Sequence, residues 1–490
     1  YWSNRGISGP KPWPIFGNLF QLYFLKPLLI TEIEWLNKFG KIYGYHLMGW
    51  PILTVAEPEL IKQILIKDFH ILPNRMNAEF PHPIISQSLI LIDGNRWKRI
   101  RSITTPIFTS GKMKRMYPLM KQCLDDLTNY LSPLADQKSI IEVKHIYSRL
   151  SLDIVFTCSF ANKLNPYNND NNNDNQLIRM IIESVQFLII SFVAQTLTPK
   201  MFSKLLYNLG LFNTMSTKYV IKYLRHLLDS RRKSDKQFND LIQLFIEAEH
   251  RDTDNNDSKE EMDQNTMNIK LDKNNNKLNE DEIIAQFMTT LFAAYETTAS
   301  TLSFLTYELA INEDCQQRLY DEVMAAVDVD DNGETTIDYD VLSGLTYLDA
   351  CVKEALRLHS PFTRLIRKAA DDYKLGDTGI TIQKGQRVDI PIYAIHYSEE
   401  YYPNANKFIP DRFLPENIKN IKPFTYLPFG SGPRICIGQR FALLEMKLCL
   451  AHIIQKYRFF PPNKTKFSLK YVKSAKLAAK HVFVGIEHRN

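Results

Sequence analysis

Phe429-Gly-Ser-Gly-Pro-Arg-Ile-Cys-Ile-Gly438 sets one cysteine, Cys436, among three glycines and a proline, just before a helix that begins near Gln439. A chain of that composition turns tightly, and Gly430, Gly432 and Gly438 let the backbone come close to a flat partner. A thiolate that ligates a metal needs access to it, N–H donors around its negative charge and a favourable local potential. The helix start supplies dipole potential at the sulfur, and Arg434 is a cation placed to reach a carboxylate of a cofactor. Taken alone, the stretch reads equally well as a loop with an inert thiol packed as a small apolar residue.

Working outward, Pro361 biases Ser360 out of a helix that ends near His359. That helix carries Glu354 and Arg357 three apart, an ion-pair spacing that is common on solvated surfaces. Further upstream, Glu280 to about Leu309 reads as a long, largely apolar helix with Asn279 as N-cap and acids in its first turn. Within it, Phe292-Ala-Ala-Tyr-Glu-Thr-Thr298 places a carboxylate and two hydroxyls in apolar surroundings, a costly arrangement unless they are partnered or used. The hydroxyls can also simply bond to carbonyls one turn earlier. A short helix over Asp93 to Arg101 puts the Trp97 indole N–H and the Arg101 guanidinium on one face, two donors suited to one carboxylate. A surface arginine behind a core tryptophan is the commoner origin of that spacing.

Helical periodicity recurs around 113–132, 143–159, 176–197 and 214–249, while Ile380 to Ile382 and Arg387 to Ile390 alternate as short strands. The fold class predicted is mainly α with small β-sheets. Asn168 to Asn175 and Arg251 to Asn279 are polar enough to be surface loops. The Pro/Gly-rich opening reads as a stiff connector ending at about Gly17, so residues 1–17 are expected to follow a missing N-terminal anchor and 18–490 to form one catalytic domain. Leu19 to Ile30 and Phe187 to Leu197 are too short to cross a bilayer and fit either an interface or a buried helix. A net charge of +6 with no run of five basic residues excludes a nucleic-acid arm; it suits an anionic membrane surface or an acidic protein partner. Six cysteines without a CxxC pair point to a reducing compartment, and the absence of a Walker loop or GxGxxG argues against nucleotide binding.

The string from Phe429 matches the haem-thiolate signature Phe-x-x-Gly-x-Arg-x-Cys-x-Gly at every fixed position, and through it the chain resembles the cytochrome P450 superfamily, most nearly its microsomal 3A-type branch. Further likeness lies in Gly6-Ile-Ser-Gly-Pro10, Trp97-Lys-Arg-Ile-Arg-Ser102, Phe108-Thr-Ser-Gly-Lys112 and Arg440-Phe-Ala-Leu443, so it covers nearly the whole chain. The resemblance implies a fold that holds haem b, iron protoporphyrin IX, between the long central helix and the cysteine loop. Cys436 would be its axial thiolate, whose electron push favours O–O cleavage. Trp97, Arg101, Arg367 and Arg434 would meet the propionates, with Phe429 part of the cofactor-binding string. Glu354 and Arg357 would form a structural network completed by Arg412, although Pro410-Asp-Arg-Phe413 has Asp411 where the family has glutamate. Glu296 and Thr297 would act as the catalytic proton relay, with Ala294 standing where the family usually has glycine, and Phe292, Ala293, Phe362 and Thr363 would face substrate.

By the same resemblance, the expected activity is insertion of one oxygen atom from O2 into an apolar steroid, lipid or xenobiotic. NADPH-cytochrome P450 reductase would dock on a basic face of Lys98, Arg99, Lys112, Lys114, Arg115 and Arg440, with cytochrome b5 a further candidate partner. The expected location is the cytosolic face of the endoplasmic reticulum membrane. Two rivals remain open: a haem-thiolate isomerase or dehydratase of lipid peroxides, whose known relatives tend to lack the acid–alcohol pair, and a haem sensor or carrier without turnover.

Overall fold

Asn279 and Glu282 cap each other: the Asn279 side chain accepts from the Glu282 N–H at 2.8 Å, and the Glu282 carboxylate accepts from the Asn279 N–H at 3.2 Å. This reciprocal cap satisfies two donors that a helix start leaves orphaned. The helix then runs without interruption from Glu280 to Ile311, about 48 Å at its standard rise. The computed structural model describes residues 1–489 apart from 76–81, 168–171, 198–213, 237, 239, 251–276, 330–334, 463–468 and 470–478.

The longer helices, in chain order, are α1 (Leu28–Phe39), α2 (Gly94–Thr104), α3 (Ser110–Asp136), α4 (Val143–Phe160), α5 (Asn172–Leu197), α6 (Met215–Arg232), α7 (Leu241–His250), α8 (Glu280–Ile311), α9 (Glu313–Met324), α10 (Thr346–Leu358) and α11 (Gln439–Lys456). Helix α8 is the axis of the core. It packs lengthwise on α4 and touches α6, α10 and α11, which is why its apolar residues surround it rather than forming one stripe. The strands are β1 (Ile42–Leu47), β2 (Trp50–Val55), β3 (Ile140–Glu142), β4 (Leu365–Lys368), β5 (Arg387–Ile390), β6 (Tyr457–Phe460) and β7 (Phe483–His488). They form a four-stranded sheet in the order β1-β2-β5-β4, parallel only between β2 and β5, and an antiparallel sheet in the order β6-β7-β3. The mainly helical class with small sheets agrees with the periodicity of the sequence. Thr381–Ile382 is a two-residue strand paired with Tyr373–Lys374.

Three expectations are revised. The stretch 214–249 is two helices, because Asp240 is buried, accepts from the Gln243 N–H at 3.0 Å as a cap and pairs with Arg231 at 2.8 Å. Helix α5 starts at Asn172, inside the segment expected to be a loop, of which 168–171 lie outside the described residues; so do 251–276 of the second polar segment. The Pro/Gly-rich opening lies along β1: Trp2 is buried and donates its indole N–H to the Tyr45 carbonyl at 3.0 Å, and a Cβ on Gly9 would stand 1.9 Å from the Gly44 carbonyl oxygen.

Two buried acidic sites tie elements together. Glu32 of α1 meets Arg364 at 2.5 Å, and Arg364 meets Asp389 of β5 at 3.0 Å, docking the helix on the sheet; burial pushes the Glu32 carboxyl up to about 7. Glu445 of α11 accepts from the Ser151 hydroxyl of α4 at 2.7 Å, and burial pushes it up to about 8. Its folded-state pKa lies above the ordinary 4.5, so folding favours the neutral acid. The stability from that neutral form is complete below about 4.5 and is lost as the pH rises through about 8. Glu445→Gln keeps a neutral polar group there. In urea titrations its midpoint is expected to gain on the parent steadily from about pH 5 to about pH 8, and a pH-independent difference would contradict the assignment.

Candidate active site

The loop before α11 is shaped by two glycines with positive φ, Gly430 at 75° and Gly432 at 74°. At Gly432 the need is double, since a Cβ would lie 2.0 Å from the Leu65 carbonyl oxygen. The Cys436 N–H donates to the Phe429 carbonyl at 2.9 Å, closing the loop on itself. Cys436 keeps an accessible side chain although protein surrounds it closely enough that burial pushes its thiol up; the Gly438 N–H, Arg101 and Arg75 oppose that shift by favouring the thiolate. The other cysteines described are buried or half-buried, with burial pushing up each thiol.

Near this sulfur stand Arg101 of α2, buried, and Arg75, half-buried, and Arg75 in turn neighbours buried Arg367 of β4 and Arg434, so that four guanidiniums form one cluster. Burial lowers Arg101 to about 10 and Arg434 to about 9, and pulls Arg367 well down, an effect that neighbouring Arg75 and Arg434 reinforce. Nε of Arg101 and Nε of Arg367 have no acceptor among the described residues. Arg434 differs from expectation. Its guanidinium lies 4.2 Å from the Trp97 ring centroid and donates to the carbonyls of Pro73 at 2.8 Å and Ile92 at 3.1 Å and to Asp93 at 3.0 Å, so it chiefly locks the loops around the site. Asp93 is the one carboxylate that faces this cluster among the described residues. Gathering so much buried positive charge costs free energy unless anions complete it. The two propionates of a haem are anions of the required charge, and the unpartnered Nε donors of Arg101 and Arg367 could serve them, so the residues present fit that group.

On α8 the site residues separate by face. Ala293 is exposed and Phe292 half-buried, the latter packed with Ile85 and Leu188. The Thr297 hydroxyl donates to the Ala293 carbonyl at 2.6 Å, the back-bond open to any helical threonine. Glu296 turns toward α4, where Lys144 lies 3.4 Å away. The helix continues through half-buried Ala294 without a bulge. Phe362 is 46% exposed, whereas Thr363 is fully buried and its carbonyl accepts from the Tyr393 N–H at 3.0 Å. Thr363 therefore does not line open space, a correction to its placement in the pocket.

Glu354 and Arg357 of α10 are fully buried and paired two-pronged, at 2.8 Å on both arms. Arg357 also donates to the carbonyls of His396, Ala405 and Lys407, while Glu354 accepts from the Ile409 N–H at 2.9 Å and meets Arg412 at 3.4 Å. Asp411, placed where a glutamate was expected, faces outward to Arg318 at 2.6 Å.

Comparison with known proteins agrees with this geometry. A family model described as Cytochrome P450 matches residues 7–482. The chain belongs to the cytochrome P450 family. Cytochrome P450 3A14 of Cavia porcellus is 31% identical over 494 residues, covering 100% of this chain and 93% of that protein. Cytochrome P450 3A2 of Rattus norvegicus is 33% identical, covering 96% and 89%. Cytochrome P450 9e2 of Blattella germanica is 32% identical, covering 96% and 90%. This cytochrome P450 is thus a haem-dependent monooxygenase, 3A-like in its likeness, whose family holds haem by a cysteine thiolate.

Two residues of the site escaped sequence reasoning. Arg75 follows Pro73-Asn74 in a stretch without periodicity, so no spacing marks it. Lys144 sits in the first turn of α4, where a cation opposes the helix dipole, and that misplacement is the signal that could have found it. Arg99, expected on the basic face, instead meets Glu282 at 2.5 Å and is largely buried. Arg357→Ala leaves Glu354 as a buried charge without its main partner. It is expected to cost about 3–5 kcal/mol, read as a lowered urea midpoint with loss of haem retention, and a change under about 1 kcal/mol would contradict the network's role.

Proposed function

We propose that this cytochrome P450 inserts one oxygen atom from O2 into an apolar substrate, with electrons from NADPH passed by a diflavin reductase that docks on the Cys436 side. The observation that carries this reading is the acid–alcohol pair Glu296–Thr297, retained in the middle of α8 beside the accessible Ala293 face. Haem, when bound, supplies the reduction of O2 and the transfer of its oxygen. Cys436 would hold it through its sulfur, steadied by the Gly438 N–H, and Arg75, Arg101 and Arg367 would neutralise its propionates with Trp97 and Phe429 packed alongside. Thr297 can exchange its bond to the Ala293 carbonyl for one to a distal acceptor, and Glu296 can return a proton to it from solvent. Phe292, Ala293 and Phe362 supply an apolar surface for a steroid, lipid or xenobiotic. The atoms balance as a C–H bond, O2, two electrons and two protons giving an alcohol and water.

Docking is supported by exposed Lys98, Lys114, Arg115 and Arg440 and half-buried Lys112, with Arg99 removed from that face and Lys114 partly offset by Asp340 at 2.6 Å. An acidic reductase face, or that of cytochrome b5, is its complement. Membrane association is supported elsewhere: Trp13, Ile15, Phe16, Phe24, Leu25 and Trp50 are exposed, with Phe20 joining Trp13, Phe16 and Phe24 through ring contacts of 5.1–5.5 Å. No helix among the described residues is long and apolar enough to cross a membrane. Such a surface suits the cytosolic face of the endoplasmic reticulum.

The test is turnover under isotopically labelled O2 with reductase and NADPH across a panel of apolar substrates. One labelled oxygen per product is expected, together with rates that fall as salt rises, since screening shortens to about 8 Å at physiological ionic strength. Conversion of a lipid peroxide without NADPH would favour the isomerase reading instead.

A further inference from the structure

Glu296 does not rest against its neighbour Thr297. Successive residues on a helix point about 100° apart, and the Glu296 carboxylate has turned away from the accessible Ala293–Thr297 face toward α4, where it meets Lys144 at 3.4 Å. Lys144 is held from a second side, since its ammonium also donates to the Ala479 carbonyl at 3.2 Å, close to the start of β7. The pair is mostly buried, with side-chain exposures of 22% for Lys144 and 17% for Glu296. A lysine in the first turn of α4 opposes that helix's dipole, and the Glu142 cap already satisfies the His145 N–H there, so capping does not explain the cation. The adjoining contact between the two helices is also polar: Tyr295 is buried, with Ser148 of α4 as its hydrogen-bond partner.

We propose that Lys144 is a positioning residue that holds the Glu296 carboxylate against α4, so that proton delivery past Thr297 begins with the opening of this ion pair. The inference rests on the monooxygenase reading above and deepens it. In the closed arrangement Thr297 donates to Ala293 and Glu296 is occupied by Lys144, so the two members of the relay are both engaged elsewhere. When the pair opens, Glu296 takes a proton from solvent and passes it to the Thr297 oxygen as the Thr297 hydroxyl gives its own proton onward. Both side chains return to their starting protonation states, and the proton taken from solvent is one of the two that the proposed reduction of O2 consumes together with the two NADPH-derived electrons. Because Lys144 is tied to Ala479 and Glu296 to α8, relative movement of α8 and α4 sets how often the pair opens. The latch therefore limits unproductive proton leakage between turnovers.

The experiment uses the haem-loaded protein with Lys144→Met, Lys144→Arg, Glu296→Gln and the Lys144→Met/Glu296→Gln pair. Lys144→Met is expected to lower product formed per NADPH consumed by about two- to fivefold, the range that a partly buried ion pair supports. Lys144→Arg is expected to restore the ratio, and Lys144→Met is expected to have no further effect on it in the Glu296→Gln background. Thermal unfolding of the four proteins should show Tm shifts that do not add, a readout independent of turnover. Lys144→Met that lowers Tm but leaves the product ratio unchanged, or Tm shifts that add, overturns the proposal. A parent protein that forms no NADPH-dependent product defeats the monooxygenase reading instead, and the unfolding cycle still decides whether the ion pair exists.

Discussion

Positive charge brought together out of water is the constraint around which this protein is arranged. Arg101, Arg367 and Arg434 are buried and Arg75 lies beside them, yet Asp93 is the only carboxylate facing the cluster among the described residues. Burial lowers every one of these guanidiniums, which means that the fold alone disfavours their charged forms. A dianionic ligand would oppose that shift by favouring the charged guanidiniums. Cys436 would add a third point of attachment, since the neighbouring cations and the Gly438 N–H favour its thiolate against the burial that opposes it. Holding haem is thus the condition under which the charges in this part of the structure balance.

The loop that presents Cys436 depends in turn on parts far away in sequence. Gly432 passes within a methyl group's reach of the Leu65 carbonyl, so the loop's path is set by the backbone of another segment. Arg434 ties the same loop to Pro73, Ile92 and Asp93. Behind it, Arg357 gathers three backbone carbonyls from residues 396–407 while Glu354 holds Ile409 and Arg412. These polar contacts are costly to break singly, because each partner left behind is buried. They fix the segments leading to the cysteine, while α8 and α4 pack on each other with the mostly buried Lys144–Glu296 pair between them.

Much of this was legible in the sequence, for identifiable reasons. The Asn279 cap and the acids after it located the start of α8 because capping chemistry is local. The cysteine string was readable because its glycines and the following helix start are contiguous. Glu354 and Arg357 were visible as a spacing, but their complete burial depends on carbonyls some forty to fifty residues away and could not be read from the pair. Arg75 lacked any pattern at all. Thr363 and Arg99 were misplaced because burial against the Tyr393 backbone, and pairing with Glu282 from a distant helix, are tertiary properties. The break between α6 and α7 was missed because apolar period continues on either side of Asp240, whose capping role is settled by its burial with Arg231.

The central claim is a bond between Cys436 sulfur and haem iron, with Arg75, Arg101 and Arg367 taking the propionates. It is tested most directly by the carbon-monoxide difference spectrum of the reduced, haem-loaded protein, recorded alongside Cys436→Ser. Thiolate ligation predicts a strongly red-shifted Soret band in the parent that disappears in the variant. A parent spectrum without that shift, or a shift that persists after the sulfur is replaced, contradicts the account.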